Sequence, residues 1–382
     1  MRILILGGDG YLGWPTAMHL SARGHEVGVA DNYLRRNLCK EENIIPLLEV
    51  PDLKQRVSLW ESLNGCRLPA YIGDLKEWSF MKSVFEAFVP EGIVHYAEQP
   101  SAPYSMLNRK AATLTLRNNL EVTTNLIFAV RKFCPTAHIV KLGTMGEYGT
   151  PNIDIEEGWL EVAHKGRQQK FLFPRQAGSL YHTTKIMDTD LLWFYVRMWD
   201  LMVTDLMQGP VYGMTTDENK GHERLFPFFN YDEIFGTVLN RFVVQAAVDH
   251  PLTVYGKGGQ TRGYLNIKDT LSCVRLALEN PPSAGELRIL NQFTETFSVN
   301  DLAERVRQAG SRCNLDVTIK HVDNPRKEAE EHYYNPKHTG LLELGLKPNY
   351  LTEDVLVEML ETALKYRNQI RTDQISLGVK WE

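Results

Sequence analysis

Four aliphatic residues, Ile3-Leu4-Ile5-Leu6, stand directly before Gly7-Gly8-Asp9-Gly10-Tyr11-Leu12-Gly13. No other stretch restricts the fold as much. A short apolar run bounded by turn residues reads as a buried parallel strand. Glycines at 7, 10 and 13 let the chain turn tightly, and Pro15 to Arg23 reads as a helix behind them. Strand, glycine turn and helix bring a helix N-terminus up to the turn. Backbone N–H groups and the helix dipole there stabilise an anion. The pattern predicts a dinucleotide cradle at Gly7, Asp9, Gly10, Tyr11 and Gly13.

The same unit then repeats. Glu26 to Ala30 reads as a second strand and ends at Asp31. An acid about 20 residues beyond the glycines bonds the adenosine ribose hydroxyls and repels a 2′-phosphate, which favours NAD. Asn32 and Arg35 join the expected cofactor contacts. Arg35 and Arg36 are also cations able to hold a 2′-phosphate, so NADP stays open at this point. Residues 33–69 exceed an ordinary strand–helix connection and read as an inserted, helix-containing flap. Further strands are predicted at Ala70 to Gly73, Gly92 to Ala97, His138 to Leu142 and Met202 to Met207.

The loop Glu98 to Ser105 carries two prolines and follows a sheet strand, where open α/β sheets bind ligands. Gln99, Ser101 and Tyr104 on it, and Gln208 after the sixth strand, are expected substrate contacts. A long helix is predicted from about Ala111 to Phe133. Asn118 and Asn119 inside it either bond to the cofactor loop or face solvent. Strand–helix alternation predicts an α/β protein. It should be a Rossmann-type doubly wound parallel sheet over 1–213, with a smaller mixed α/β substrate-binding lobe over 214–382. Residues 240–280 are left open between the two.

Tyr181 and Lys185 lie four apart in Tyr181-His182-Thr183-Thr184-Lys185, on one side of a helical turn. A cation beside the phenol lowers its pKa, and a phenolate is a general base for a hydroxyl. Upstream, Gly143-Thr144 ends a hydrophobic run. Glycine turn, Thr and Tyr-x-x-x-Lys, in that order, resemble the extended short-chain dehydrogenase/reductase superfamily. That resemblance implies Asp74 and Leu75 against the adenine.

A finer resemblance is to the UDP-sulfoquinovose synthase family. Ser101-Ala102-Pro103-Tyr104-Ser105-Met106, Leu142 to Gly158 including Thr144-Met145-Gly146-Glu147-Tyr148-Gly149, His250 to Tyr264, and Ala329 to Asn335 carry it. It implies UDP-glucose and sulfite as substrates, with NAD recycled. Tyr181 takes the C4 hydroxyl proton, Lys185 supports it, and Thr144 bonds O4. Related dehydratases carry an acid pair where Met145 and Gly146 stand, so His182 and Glu147 become rival candidates for proton transfer at C5 and C6. Arg262, followed by Gly263 where relatives have Asp, and Arg326 are implied diphosphate ligands. Pro100 stands where the family has Arg. The alternatives are an NAD-dependent UDP-sugar epimerase or dehydratase, and a non-catalytic sugar-nucleotide binding protein. Superfamily habit implies a homodimer.

Net charge is −5 with no long basic run, so nucleic acid is not expected as a partner. No stretch is long and apolar enough for a membrane span. The five cysteines are scattered without a C-x-x-C pair, which reads as reduced thiols of a cytoplasmic protein; no metal is expected.

Overall fold

The predicted apolar runs pair side by side. In the computed structural model, which describes residues 1–324, 332–379 and 381, they are β1 (Arg2–Leu6), β2 (Glu26–Asp31), β3 (Ala70–Ile72), β4 (Gly92–His95), β5 (His138–Thr144) and β6 (Met202–Gln208). A seventh strand, β7 (Leu287–Gln292), comes from much later in the chain. The order is β3-β2-β1-β4-β5-β6-β7, and every pairing is parallel. This is the Rossmann-type doubly wound sheet. Its order reverses between β1 and β4, which opens a crevice at the carboxyl ends of the strands.

Side-chain alternation along β1 explains the two covered faces. Ile3 and Ile5 pack with Trp14, Ala17 and Met18 of α1 (Gly13–Ser21) on one side. Leu4 and Leu6 pack with Phe85 and with Val122 and Leu126 of α2 (Arg109–Phe133) on the other. Helix α2 starts two residues before the predicted Ala111 because the Asn108 side chain accepts from Ala111 N. Helix α3 (Leu180–Trp199) carries Tyr181 and Lys185 and packs beside α2. Between β5 and α3, Trp159–His164 and Arg167–Leu172 form an exposed antiparallel hairpin that the sequence reading left unassigned.

Residues 33–69 are packed, not a flap. Leu38 and Cys39 of the helix Leu34–Glu41 enter the core of the smaller lobe. Leu53, Val57 and Trp60 of the helix Leu53–Asn64 join the core under the main sheet. The smaller lobe has its own core, where Leu239, Phe242 and Val243 meet Leu302, Val306 and Leu360. Its strands include Thr261–Asn266, flanked by Val211–Tyr212 and Glu295–Ser298. The chain returns to the main sheet at Ile267, later than residue 240. Cys273, Val274 and Ala277 of the helix Ile267–Glu279 sit against Ile3, Ile5 and Val94. No helix among the described residues is long and apolar enough to cross a membrane.

Candidate active site

One cavity of about 840 Å³ runs along the crevice between the sheet and the smaller lobe. Its floor is the glycine turn. Gly7 has φ +90°, and a Cβ there would stand 2.7 Å from the Tyr96 carbonyl. At Gly13 a Cβ would stand 2.0 Å from the Gly7 carbonyl oxygen. Both positions exclude a side chain by the protein's own packing. Gly10 is different. Its Cβ would come no nearer to another atom than 3.6 Å, from Gly7 O, and the residue lines the cavity. The open space lies beside the N-terminus of α1, which suits a pyrophosphate.

Asp31 lies at the end of β2 and accepts the backbone N–H groups of Asp9 (2.8 Å) and Tyr33 (2.6 Å). Burial and the nearby Asp9 charge push its carboxyl up to about 6. Asp9 itself is tied down by Arg36 Nε at 2.6 Å and Arg56 Nη2 at 2.5 Å. Arg36 also donates to the carbonyls of Val50 and Pro51. It is therefore committed, which removes it as a 2′-phosphate ligand. Arg35 lines the cavity but turns over the Phe235 ring, 4.2 Å from its centroid, with Tyr181 within electrostatic reach. Tyr11 donates to Gly213 O at 2.5 Å and so joins the turn to the smaller lobe. Asn32, Asp74, Leu75 and Asn118 line the same end. Asn118 Nδ2 reaches Ala97 O at 3.5 Å.

Thr144, Tyr181, His182 and Lys185 line the wall beyond the glycines. Ser179 caps α3 by accepting from His182 N, and Tyr181 N donates to Ser105 Oγ at 3.1 Å. These bonds fix the first turn of the helix. Lys185 Nζ donates to Glu98 at 2.5 Å. Glu98 and Asp188 hold Lys185 cationic against its burial. The expected lowering of the Tyr181 phenol is not what these surroundings produce. Burial, then the charges of Glu98 and Glu147, push it up. The Lys185 charge is largely spent on Glu98.

The His182 ring lies against Gly146, where a Cβ would stand 2.3 Å from Nε2. Ser179 Oγ is 3.1 Å from its Nδ1. The imidazole thus fills space that a side chain at 146 would take.

Of the other expected residues, Glu147, Gln99 and Tyr104 do not line the cavity, while Ser101, Gln208 and Arg262 do. Glu147 is fully buried behind Thr144; it accepts from Thr144 N at 3.2 Å and pairs with Lys141 (3.4 Å) and Arg175 (3.6 Å). Its place is structural, because two cations and a backbone N–H already claim it. Gln99 is buried and spends its side chain on Ser101 N, Ser101 O and Thr115. Tyr104 is stacked on Phe235 inside the smaller lobe's core. Ser101 lines the cavity, with its hydroxyl donated to Ile234 O. Gln208 lines it and bonds Gln292 at 3.1 Å. Arg262 lines the far end, between Thr261 O and His332, each at 2.8 Å. Arg326 lies outside the described residues.

Sequence reasoning missed Glu98, Arg241 and a buried cluster under α3. Lys141 Nζ bonds Asp205 (3.0 Å), Thr189 (2.6 Å) and the Lys185 carbonyl (3.2 Å). The signal was present: a Lys in apolar β5 and an Asp in apolar β6, directly opposite in the ladder.

Comparison with known proteins places this geometry. The model of the NAD dependent epimerase/dehydratase family matches residues 3–291. The chloroplastic UDP-sulfoquinovose synthase of Spinacia oleracea is 49% identical over 381 residues, covering 100% of this chain and 79% of that protein. A UDP-sulfoquinovose synthase of Sulfolobus acidocaldarius is 46% identical, covering 97% and 94%. Among solved structures, the Thermotoga maritima UDP-glucose 4-epimerase with UDP-glucose superposes with a TM-score of 0.71 at 20% identity, covering 97% of this chain and 100% of that one. That likeness bears on the fold alone.

Proposed function

The chain belongs to the NAD dependent epimerase/dehydratase family and, within it, to the UDP-sulfoquinovose synthases, and from that premise we propose that it converts UDP-glucose and sulfite into UDP-6-sulfoquinovose and water. One observation supports this reading above the others. Thr144, Tyr181, His182 and Lys185 face one cavity with the Gly10 cradle, and His182 fills the space beside Gly146.

The glycine turn and Asp31 would hold NAD, which when bound would supply the reversible hydride acceptor for C4 and a positive charge that favours the phenolate. Tyr181 removes the C4 hydroxyl proton and gives it back at the end. Thr144 holds O4. The C4 ketone acidifies the C5 hydrogen, so C5 loses a proton and C6 loses its hydroxyl as water. Sulfur of sulfite then bonds to C6, and a proton returns to C5. His182, whose ring lies against Gly146 on the cavity wall, moves the C5 and C6 protons; histidine is the side chain whose ordinary charge change falls closest to neutral pH. Glu147 acts by holding the Thr144 turn. Arg262, with Arg241 on the same wall, receives the diphosphate. Phe128 of α2 and Met187, Phe194 and Met198 of α3 are large, apolar and exposed, and would be covered in a homodimer.

Mass analysis of products from UDP-glucose with and without sulfite tests the proposal. A sulfonated UDP-hexose appearing only with sulfite is expected. Pro100, in place of the family Arg, favours one second reading: an epimerase or dehydratase without the sulfur step. A new UDP-sugar formed equally in both reactions would establish that instead.

A further inference from the structure

Beyond the helix Glu353–Lys365 the chain crosses back over the smaller lobe and is pinned at three places. Arg371 N donates to the Tyr231 hydroxyl oxygen at 2.9 Å. The buried Gln374 side chain accepts from Ile45 N at 3.0 Å and donates to Ile45 O at 2.7 Å. Ile375 beside it enters the lobe's core. Val379 N donates to Glu233 at 3.2 Å, and Val379 both joins that core and lines the cavity. Two positions further on, Trp381 is half-buried, packs against the same core and lines the cavity as well. The pins anchor this strap ahead of Trp381, so removing the indole leaves the strap's polar bonds in place.

Contacts tie the strap to the wall expected to hold the diphosphate. Glu233 accepts the Tyr255 hydroxyl at 2.7 Å through its other carboxylate oxygen. The Arg241 guanidinium lies over the Tyr255 ring, 5.0 Å from its centroid. Arg241, Tyr255, Glu233 and Val379 thus form one run of contacts, and all four line the cavity. A sugar nucleotide with its hexose at Tyr181 and its diphosphate at Arg241 and Arg262 carries its base on the side of the diphosphate away from the hexose. The strap brings a broad, flat apolar ring to that wall, and every nucleobase has a face that stacks on such a ring.

We propose that Trp381 stacks on the base of the sugar nucleotide and, with Val379, closes the cavity behind it. This rests on the sugar-nucleotide part of the proposed function and not on the sulfur step. The contact is non-covalent, so it adds no step to the reaction.

The test is calorimetric titration of UDP into wild type, Trp381→Ala and Trp381→Phe, each carrying its NAD, with thermal midpoints measured without UDP to check folding. Trp381→Ala should weaken UDP binding roughly ten- to a hundredfold. The KM for UDP-glucose should rise to match, with kcat and NAD content nearly unchanged. Trp381→Phe keeps an aromatic face and should recover most of the affinity. UDP should also quench less indole emission in Trp381→Phe than in wild type. Wild-type UDP affinity in Trp381→Ala overturns the inference, as does a Phe variant no better than the Ala variant, or lost kcat at unchanged KM. Wild type that binds no UDP overturns the sugar-nucleotide reading and the inference with it. UDP binding without any sulfonated product overturns the synthase reading alone.

Discussion

Substituting Gly10 and Gly13 separately by Ala distinguishes a glycine kept for a ligand from one kept for the fold. At Gly13 the new Cβ would lie 2.0 Å from the Gly7 carbonyl oxygen and 2.9 Å from its carbon. Both are backbone atoms of the turn and cannot rotate away. Overpacking of this kind costs about 1–3 kcal/mol, so Gly13→Ala should lower stability and disturb the cradle together. At Gly10 the nearest atom is 3.6 Å away, an ordinary contact. Gly10→Ala should leave the chain about as stable, or raise stability by ~0.4–1 kcal/mol through the unfolded state. Its methyl would instead stand in the open cradle. Losing one hydrogen bond from a backbone N–H to a charged group costs about 1.5–3 kcal/mol, so NAD affinity should fall roughly ten- to a hundredfold. Thermal unfolding with and without NAD reads both effects. Ligand at a hundred times the wild-type Kd stabilises by about 2.7 kcal/mol, and at the same NAD concentration that increment should fall to about 0.4–1.4 kcal/mol in Gly10→Ala while the ligand-free midpoint holds. Gly10→Ala protein with the full NAD-dependent increment would refute the assignment of the cradle.

Tyr181→Phe should abolish turnover while UDP-glucose still binds, as titration calorimetry would show; turnover near wild type would reject the phenol as base. His182→Ala should slow exchange of the C5 proton with deuterated solvent, read by mass spectrometry, and a normal exchange rate would put the base elsewhere. Lys141→Met should cost about 3–5 kcal/mol, because Glu147 and Asp205 keep buried charge without their cation; a urea midpoint shift worth under 1 kcal/mol would contradict this. Asp31, pushed up to about 6, favours the folded chain fully below its unfolded value near 4. That contribution is lost as pH rises through 6, so Asp31→Asn should flatten the stability profile between pH 4 and 6 in urea titrations.

The nucleotide end was legible because its signals are local. Gly7, Gly10, Gly13 and Asp31 belong to one strand–turn–helix–strand unit whose chemistry follows from spacing. Thr144 and the Tyr181–Lys185 pair were legible for the same reason. What sequence missed depends on contacts across the fold. Glu98 and Lys185 are 87 positions apart and meet only because β4 and α3 converge on one cavity. Glu147 follows Thr144 closely, yet its carboxylate points inward to Lys141, which no local pattern announces. Arg35 falls in the cofactor segment by sequence. Its orientation is decided by Phe235, two hundred residues later. Boundaries shifted where caps intervened, as at Asn108.

The late arrival of β7 has a consequence during synthesis. A ribosome delivers the glycine turn, Thr144, Tyr181 and Lys185 before the sheet has both its edges. Gln208 at the end of β6 waits for Gln292, 84 residues downstream. At 5–20 residues per second that interval is roughly 4–17 s. Throughout it, β6 presents a row of unpaired backbone groups flanked by Val203, Leu206 and Met207, a template for another nascent chain. The vulnerable moment in this protein's biogenesis therefore belongs to the outer edge of β6.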